Sequence, residues 1–418
     1  MRTLAPVIQE YTYWKKHSSE QIRTRVFGAL KQNVNYRDQE ILGIPASHLD
    51  NHVFSQDESF LKEAPYISTL VQNPNHIGCH TLGTSEPFFR GTQEIEKETI
   101  ELCAVDILNA APNTCDGYIA SGGTEANMQA IWMYRNYYLS DLGATHSEIA
   151  ILCSEDAHYS MDKAANLLNL PIHKVNTTPN GRELTNEAVE ATIENAIAQG
   201  RKYFIVVANM MTTMYGSVDD VSAYTSVLKD KNLPFKLHID GAYGGFYFPF
   251  SSPGNALDFS NEDVSSVTLD AHKMAQAPYG TGIFIARKGL ISYTNTSAGY
   301  VEGDDFTMIG SRSGANAIAV WMILMTNGPY GWHEKIFILQ KRTQWMCDKL
   351  DILNISYYRN PGSNIITMNA SQIPEKVAKK YGLVPDIHTN PSWYKVVIMD
   401  HVTLEKIKLL LNDIDNAE

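Results

Sequence analysis

The chain has 418 residues, with 44% hydrophobic and 19% charged content, which is ordinary for a globular protein and long enough for more than one domain. A formal net charge of −12 excludes nonspecific nucleic-acid binding, which needs a basic face. Five scattered cysteines, Cys79, Cys103, Cys115, Cys153 and Cys347, form no Cys-x-x-Cys and favour free thiols in a reducing compartment over a disulfide framework.

The N-terminus soon turns polar and carries no signal-peptide core. The longest apolar run, residues 317–325, is too short to span a bilayer. A cytoplasmic protein with no membrane association is therefore expected. Residues 1 to about 60 are polar and helical by pattern. Within them, residues 20–31 predict an amphipathic helix, either on the surface or as an arm on a second subunit. A segment rich in His, Gly, Pro and Phe follows over residues 73–91. The spacing of Ile95, Ile100, Leu102, Val105 and Leu108 then predicts a helix over 92–109.

From about residue 115 the chain alternates strands and helices. Short apolar runs at 149–153, 203–208, 235–239, 266–269 and 282–286 predict strands, and residues 186–198 and 221–229 predict helices between them. Near-continuous apolar strands separated by helices imply a mostly parallel sheet covered on both faces. A long helix is expected from 315, a strand at 396–399, and a last helix over 404–412 capped by Thr403. The reading is α/β, with an N-terminal helical segment (1–60), a large α/β domain (61–314) and a smaller C-terminal α+β domain (315–418).

Two residues carry the chemistry. Asp240 closes the apolar run of Leu-His-Ile-Asp-Gly-Ala-Tyr-Gly-Gly, and Lys273 follows the run of Ser-Val-Thr-Leu-Asp-Ala-His-Lys. In such sheets, ligands collect at the carboxyl ends of the strands. Together the two residues supply what pyridoxal phosphate needs, an amine for its aldehyde and a carboxylate to keep its ring nitrogen protonated. Upstream, Ser121-Gly122-Gly123-Thr124-Glu125-Ala126-Asn127 opens a helix. It is either a phosphate cradle, with Thr124 adding a hydroxyl, or a plain helix cap. His272 can reach a phosphate, and Ala242 leaves room for a flat ring. His158, in Asp-Ala-His-Tyr-Ser, either stacks on that ring and moves a proton or is bonded locally near a helix start. Thr213 touches cofactor or substrate, or sits in a plain turn. Arg90 is a grip for an acidic substrate or a surface arginine, and His76 is a further substrate-side candidate. His76-x-x-Cys79-His80 lacks a second cluster to complete a metal site, so no metal is expected.

With these motifs in one order, the chain resembles the group II pyridoxal-phosphate-dependent amino acid decarboxylases, which have the aspartate-aminotransferase-like fold (fold type I). The likeness covers roughly residues 75–415 and includes Thr-Thr-Met-Tyr-Gly-Ser-Val-Asp (212–219) and Thr-Met-Ile-Gly-Ser-Arg-Ser-Gly (307–314). The resemblance implies conversion of an L-amino acid to its amine and carbon dioxide. It implies Gly123, Thr124 and His272 on the cofactor phosphate, His158 stacked on the ring, Ala242 on the other face and Lys273 as the Schiff-base lysine. It also implies a homodimer with sites at the interface. Ser311 would then be donated by the second subunit, and Tyr300 would lie on a loop that closes over the substrate and protonates the carbanion. Some relatives have an arginine near the strand at Val396, where this chain has Lys395. The alternative is a carbon–carbon lyase resembling sphingosine-1-phosphate lyase. Such lyases carry a lysine where this chain has Tyr279, in Ala277-Pro278-Tyr279-Gly280. A cofactor-binding protein without turnover is the third possibility, and intact Lys273 and Asp240 count against it.

Overall fold

The computed structural model describes residues 10–35, 40–43, 48–55, 57–80, 82 and 87–416. The first nine residues of the N-terminal run read for a signal core, parts of the helical expectation up to residue 60, and residues 81 and 83–86 of the His- and Phe-rich segment lie outside the described residues.

Seven strands build the central sheet. From one edge they are Cys115–Ala120, Gly282–Arg287, Val264–Asp270, Phe235–Gly241, Tyr203–Asn209, Ile149–Ser154 and Ile172–Val175. The last five run parallel, and Gly282–Arg287 is antiparallel to both its neighbours. The fold is α/β with a mixed, mostly parallel sheet, as the apolar runs predict. Alternate residues explain those runs. Ile149, Ile151 and Cys153 enter one buried cluster while Ala150 and Leu152 enter the other. Ile205 and Val207 oppose Phe204, Val206 and Ala208 in the same way. A strand buried on both faces has no polar side to show.

Two strands are invisible to an apolar-run search. Ile172–Val175 reads Ile-His-Lys-Val, and only Val175 is buried because the strand forms the sheet edge. Cys115–Ala120 is wholly buried, but Asp116 and Gly117 interrupt its run.

Helix Gly123–Asp141 crosses one face of the sheet, with Ala126, Ala130, Met133 and Tyr134 buried against it. On the other face lie helix Arg90–Leu102 and the first half of helix Gly314–Ile352. The helix expected over 92–109 stops at Leu102 and continues as a π turn, Cys103–Ile107. Asp106 in that turn accepts the backbone N–H groups of Thr12, Tyr13 and Trp14 at 2.7, 2.6 and 2.6 Å. This anchors the N-terminal segment on the body, and the Trp14 indole N–H reaches the Leu324 carbonyl. Helix Ser19–Gln32 follows with a capping box at Ser18.

The long helix from Gly314 breaks at Gly328 (φ 63°), just before Pro329, whose ring denies the preceding residue helical geometry. Its second half leads to a four-stranded antiparallel sheet in the order Tyr357–Tyr358, Ile365–Asn369, Trp393–Val397, Val384–Pro385. The strand expected at 396–399 therefore begins three residues earlier. Thr403 caps helix Leu404–Asp415 by accepting from the Lys406 N–H, as expected.

Two glycines separate close packing from open space. A Cβ on Gly282 would stand 2.5 Å from the Gly122 carbonyl carbon, so the strand could not lie against the phosphate turn. A Cβ on Gly28, in helix Ser19–Gln32, meets nothing within 4 Å. Gly282→Ala is expected to lose about 1–3 kcal/mol of stability, and Gly28→Ala to gain up to about 1 kcal/mol. Denaturant unfolding of both variants checks the contrast, and equal effects would contradict the packing described.

Candidate active site

The parallel strands end together, and their ends carry the site. Ile149–Ser154 leads to His158, Tyr203–Asn209 to Thr213, Phe235–Gly241 contains Asp240, and Val264–Asp270 leads to Lys273. His158, Asn209, Thr212, Thr213, Asp240, Ala242, Tyr243 and Lys273 line one cleft there, with Met211. A larger groove of about 1000 Å³, which includes Tyr13, Arg25, Lys288 and Trp321, shares no lining residue with it and none of the groups the chemistry needs.

Asp240 is 7% exposed, and its carboxylate is fixed from two sides. Asn127 Nδ2 donates to Oδ2 at 2.8 Å and the Ala242 N–H to Oδ1 at 3.1 Å. Behind Asn127 stands His238, fully buried, its imidazole pushed down to about 4 by burial and therefore neutral at neutral pH. Because the Asn127 amide nitrogen serves Asp240 and Ser160, its oxygen must accept, and His238 Nε2 (3.0 Å) is the donor. His238 Nδ1 then accepts from Ser266 Oγ at 2.7 Å, which in turn takes the Tyr134 hydroxyl. The chain of bonds has one consistent direction and ends on Asp240.

His158 sits across the cleft, half-buried. Its Nδ1 accepts the Ser160 N–H at 3.2 Å and lies 2.9 Å from Ser160 Oγ, so the neutral ring carries its proton on Nε2. Burial first, and then Lys273, hold its basicity below the ordinary histidine value against the pull of Asp240. His158 is bonded locally to Ser160 and also lines the cleft, with the Tyr159 ring 4.1 Å from its own.

The phosphate turn differs from its sequence reading in one respect. The Gly123 N–H points at Asp270 Oδ2 (3.2 Å), and a Cβ on Gly123 would fall 2.9 Å from that of Ala242. The glycine is needed for close approach of helix to strand. Helix Gly123–Asp141 has no side-chain cap at Gly122, and Glu125 in its first turn accepts the Ser121 N–H at 2.6 Å. His272 flanks this turn, its ring 5.2 Å from that of Tyr279. An amine, a buried fixed carboxylate and an imidazole line the cleft, and a helix N-terminus lies against Ala242 at its side, a set that fits pyridoxal phosphate.

Other candidates lie elsewhere. His76 is fully buried, with Nδ1 3.0 Å from Glu96 and Nε2 2.7 Å from Thr92 Oγ1, and burial lowers it to about 4. His80 and Glu96 complete a three-residue cluster with it. Burial works to raise the Glu96 carboxyl, but Arg312 and His80 outweigh it and hold it well below the usual range. The guanidinium of Arg312 already supplies the cation there. Arg90 is exposed and pairs with Glu94 at 3.2 Å, away from the cleft. Neither His76 nor Arg90 lines the cleft. Tyr300 is 91% exposed, and Ser311, on the short strand Ser311–Ser313, faces solvent.

Several site residues escaped the sequence reading. Asn127 lies one helical turn beyond Gly123 and so shares its face, a signal that was available. Asp270 was visible three residues before Lys273. Lys395 Nζ donates to the Thr213 carbonyl at 2.8 Å, and burial and Lys273 lower its basicity. Its position depends on how the small sheet docks.

Comparison with known proteins agrees with this geometry. The family model described as "Pyridoxal-dependent decarboxylase conserved domain" matches residues 91–352, more than half of the chain. A tryptophan decarboxylase from Clostridium sporogenes (strain ATCC 15579) is 46% identical, over 96% of this chain and 97% of that protein. An L-aspartate/L-glutamate decarboxylase from Pyrococcus horikoshii is 31% identical, over 78% of this chain and 82% of its own. Among solved structures, an L-methionine decarboxylase from Streptomyces sp. 590 superposes with a TM-score of 0.70 at 21% identity, covering 86% of this chain and 89% of that one. A sphingosine-1-phosphate lyase from Burkholderia pseudomallei reaches 0.67 at 18% identity, over 78% and 76%. These two likenesses establish the fold alone, and the carbon–carbon lyase alternative has the weaker support. The chain is an enzyme, a pyridoxal-phosphate-dependent amino acid decarboxylase, and belongs to the pyridoxal-dependent decarboxylase family.

Proposed function

We propose that the amino acid decarboxylated is aromatic, with tryptophan the leading substrate, and that Lys273 holds the cofactor. The observation that carries the attachment is the cleft in which Lys273 faces Asp240 and His158. Two observations support the aromatic side chain. The relative at 46% identity is a tryptophan decarboxylase. Among the residues lining the cleft, Lys273 is the only lysine or arginine, and Met211 and Tyr243 offer apolar surface. An acidic side chain would need a cation beyond Lys273 and Lys395, the latter taken up by the α-carboxylate, and Arg90 is exposed and paired with Glu94.

Bound pyridoxal phosphate supplies an aldehyde for the substrate amine and a protonated ring that takes up the electron pair left by carbon dioxide. Each surrounding residue then has a defined task. Asp240, held by Asn127 and the Ala242 N–H, keeps the proton on the ring nitrogen. The neutral His158 ring covers one face and offers an Nε2 proton, and Ala242 leaves the other face open. Gly123 permits the close approach, and Thr124 and His272 meet the phosphate. Thr213 borders the substrate. Lys395, half-buried beside Thr213, supplies the positive charge that orients the substrate carboxylate. Tyr300 and Ser311 are exposed and line no part of this chain's own cleft, which supports their service to a second copy in a homodimer. Tyr300 would then return a proton to Cα. All five cysteines are free and buried, which supports a reducing, cytoplasmic setting. Among the described residues, no helix is long and apolar enough to cross a membrane.

A panel of the twenty L-amino acids, assayed for carbon dioxide, is expected to show the highest kcat/KM with tryptophan. Fastest turnover of aspartate or glutamate would sink the aromatic reading. In a second test, borohydride reduction and peptide mapping are expected to place the cofactor on Lys273. Lys273→Ala is expected to lose both the label and at least about 10³-fold of the rate, and undiminished turnover would overturn the assignment.

Asn209 lines the cleft, and its backbone N–H and side-chain amide both donate to buried Asp219, at 2.9 and 2.7 Å. Burial raises the Asp219 carboxyl to about 7. The folded state thus binds this proton more tightly than the unfolded chain does. Stability from this group is present below pH ~4 and is lost as pH rises through about 7. Asp219→Asn keeps an acceptor for Asn209 and is expected to remove a decline on the order of a few kcal/mol between those limits. Denaturant unfolding at several pH values checks this, and an unchanged slope would contradict it.

A further inference from the structure

Asp270 ends strand Val264–Asp270 with its side chain 2% exposed. Its Oδ2 accepts the Gly123 N–H and lies 3.5 Å from Lys273 Nζ. Its Oδ1 lies 2.9 Å from His272 Nδ1, and among the described residues neither of these two atoms has a hydrogen-bond partner, so the contact is a charge pairing rather than an aligned bond. Burying a carboxylate costs several kcal/mol unless cations offset it. A strand end that only needed an acceptor for Gly123 would be served by a neutral side chain. Here the charge is set against both basic residues of one turn, closed by the Lys273 N–H on the Asp270 carbonyl at 3.1 Å.

We propose that Asp270 is a positioning residue for the cofactor. Its carboxylate turns His272 Nδ1 inward, so that the other edge of the imidazole faces the phosphate turn, and it places a negative charge beside the nitrogen of Lys273. This rests on Lys273 as the attachment point. The effect on the phosphate runs through His272, whose ring lies beside the turn at Gly122. The effect on Lys273 is direct and electrostatic. Besides Asp270 on its own turn, the charged groups around Lys273 are Asp240 and His158 at neighbouring strand ends and Lys395 from the small sheet. Asp270 and Asp240 favour a proton there, and Lys395 opposes it.

The test is Asp270→Asn, which keeps the shape and an acceptor for Gly123, with Asp270→Glu as the conservative partner. Cofactor affinity is measured by fluorescence titration. The pH midpoint of the visible absorption of the loaded protein reports the proton on the Lys273 nitrogen. Asp270→Asn is expected to weaken cofactor binding by about tenfold and to move the midpoint to lower pH by about one unit, a tenfold change in proton affinity. Asp270→Glu is expected to restore part of both. In a His272→Gln background the affinity loss is expected to shrink, since the two residues act together. An unchanged midpoint and affinity in Asp270→Asn overturn the proposal. Should that variant fail to fold, Asp270→Ser, which also removes the charge, takes its place, and an unchanged midpoint and affinity there overturn the proposal. Absence of the borohydride label from Lys273 in the wild-type protein would instead overturn the attachment on which the proposal rests.

Discussion

A buried carboxylate that needs partners is the constraint around which the centre of this molecule is arranged. Asp240 lies inside a strand and nearly out of water, where an unpartnered polar group is costly. Two donors meet it there, the Asn127 amide and the Ala242 N–H. Asn127 can donate only because His238 occupies its oxygen, and His238 is aligned by Ser266 and Tyr134. Each bond in this chain removes an alternative for the next. The carboxylate is therefore held in one orientation at the strand end, with both oxygens already met by donors.

The same economy governs the phosphate side. Helix Gly123–Asp141 can start where it does only because Gly123, Ala242 and Gly282 leave no side-chain bulk between helix and sheet. The helix N-terminus is thereby packed against Ala242 and Asp270, beside the cleft that Asp240 and Lys273 line. Further out, Arg182 pairs with Asp156 and stacks its guanidinium 4.3 Å over the ring of Tyr215. That contact joins the turn carrying His158 to the turn carrying Thr213. Lys395 reaches the Thr213 carbonyl from the small sheet, which ties that sheet to the turn lining the cleft.

The cluster of His76, His80, Glu96 and Arg312 acts at longer range. Glu96 accepts the Ile119 N–H, in the strand that leads to the phosphate turn. Arg312 donates to the Ile119 and Gly78 carbonyls and sits beside Ser311. One buried ion pair thereby fixes the start of the cofactor turn relative to the exposed strand that bears Ser311. His76 and His80 both contact Glu96, the carboxylate that pairs with Arg312.

Much of this was legible from the chain alone. Strands buried on both faces leave continuous apolar runs, so five of the seven were readable, and a lysine and an aspartate just at the ends of such runs marked the chemistry. The edge strand Ile172–Val175 and the interrupted strand Cys115–Ala120 were not readable, because neither keeps an apolar run. Local order determined Lys273, Asp240, His158 and the glycine turn, since each is set by its own strand end. Only the tertiary structure decided that Asn127 and His238 orient Asp240, that the Gly123 N–H serves Asp270, that Lys395 bonds to the Thr213 carbonyl, and that His76 and Arg90 do not line the cleft. Those outcomes depend on distances between segments remote in sequence, which no local pattern encodes.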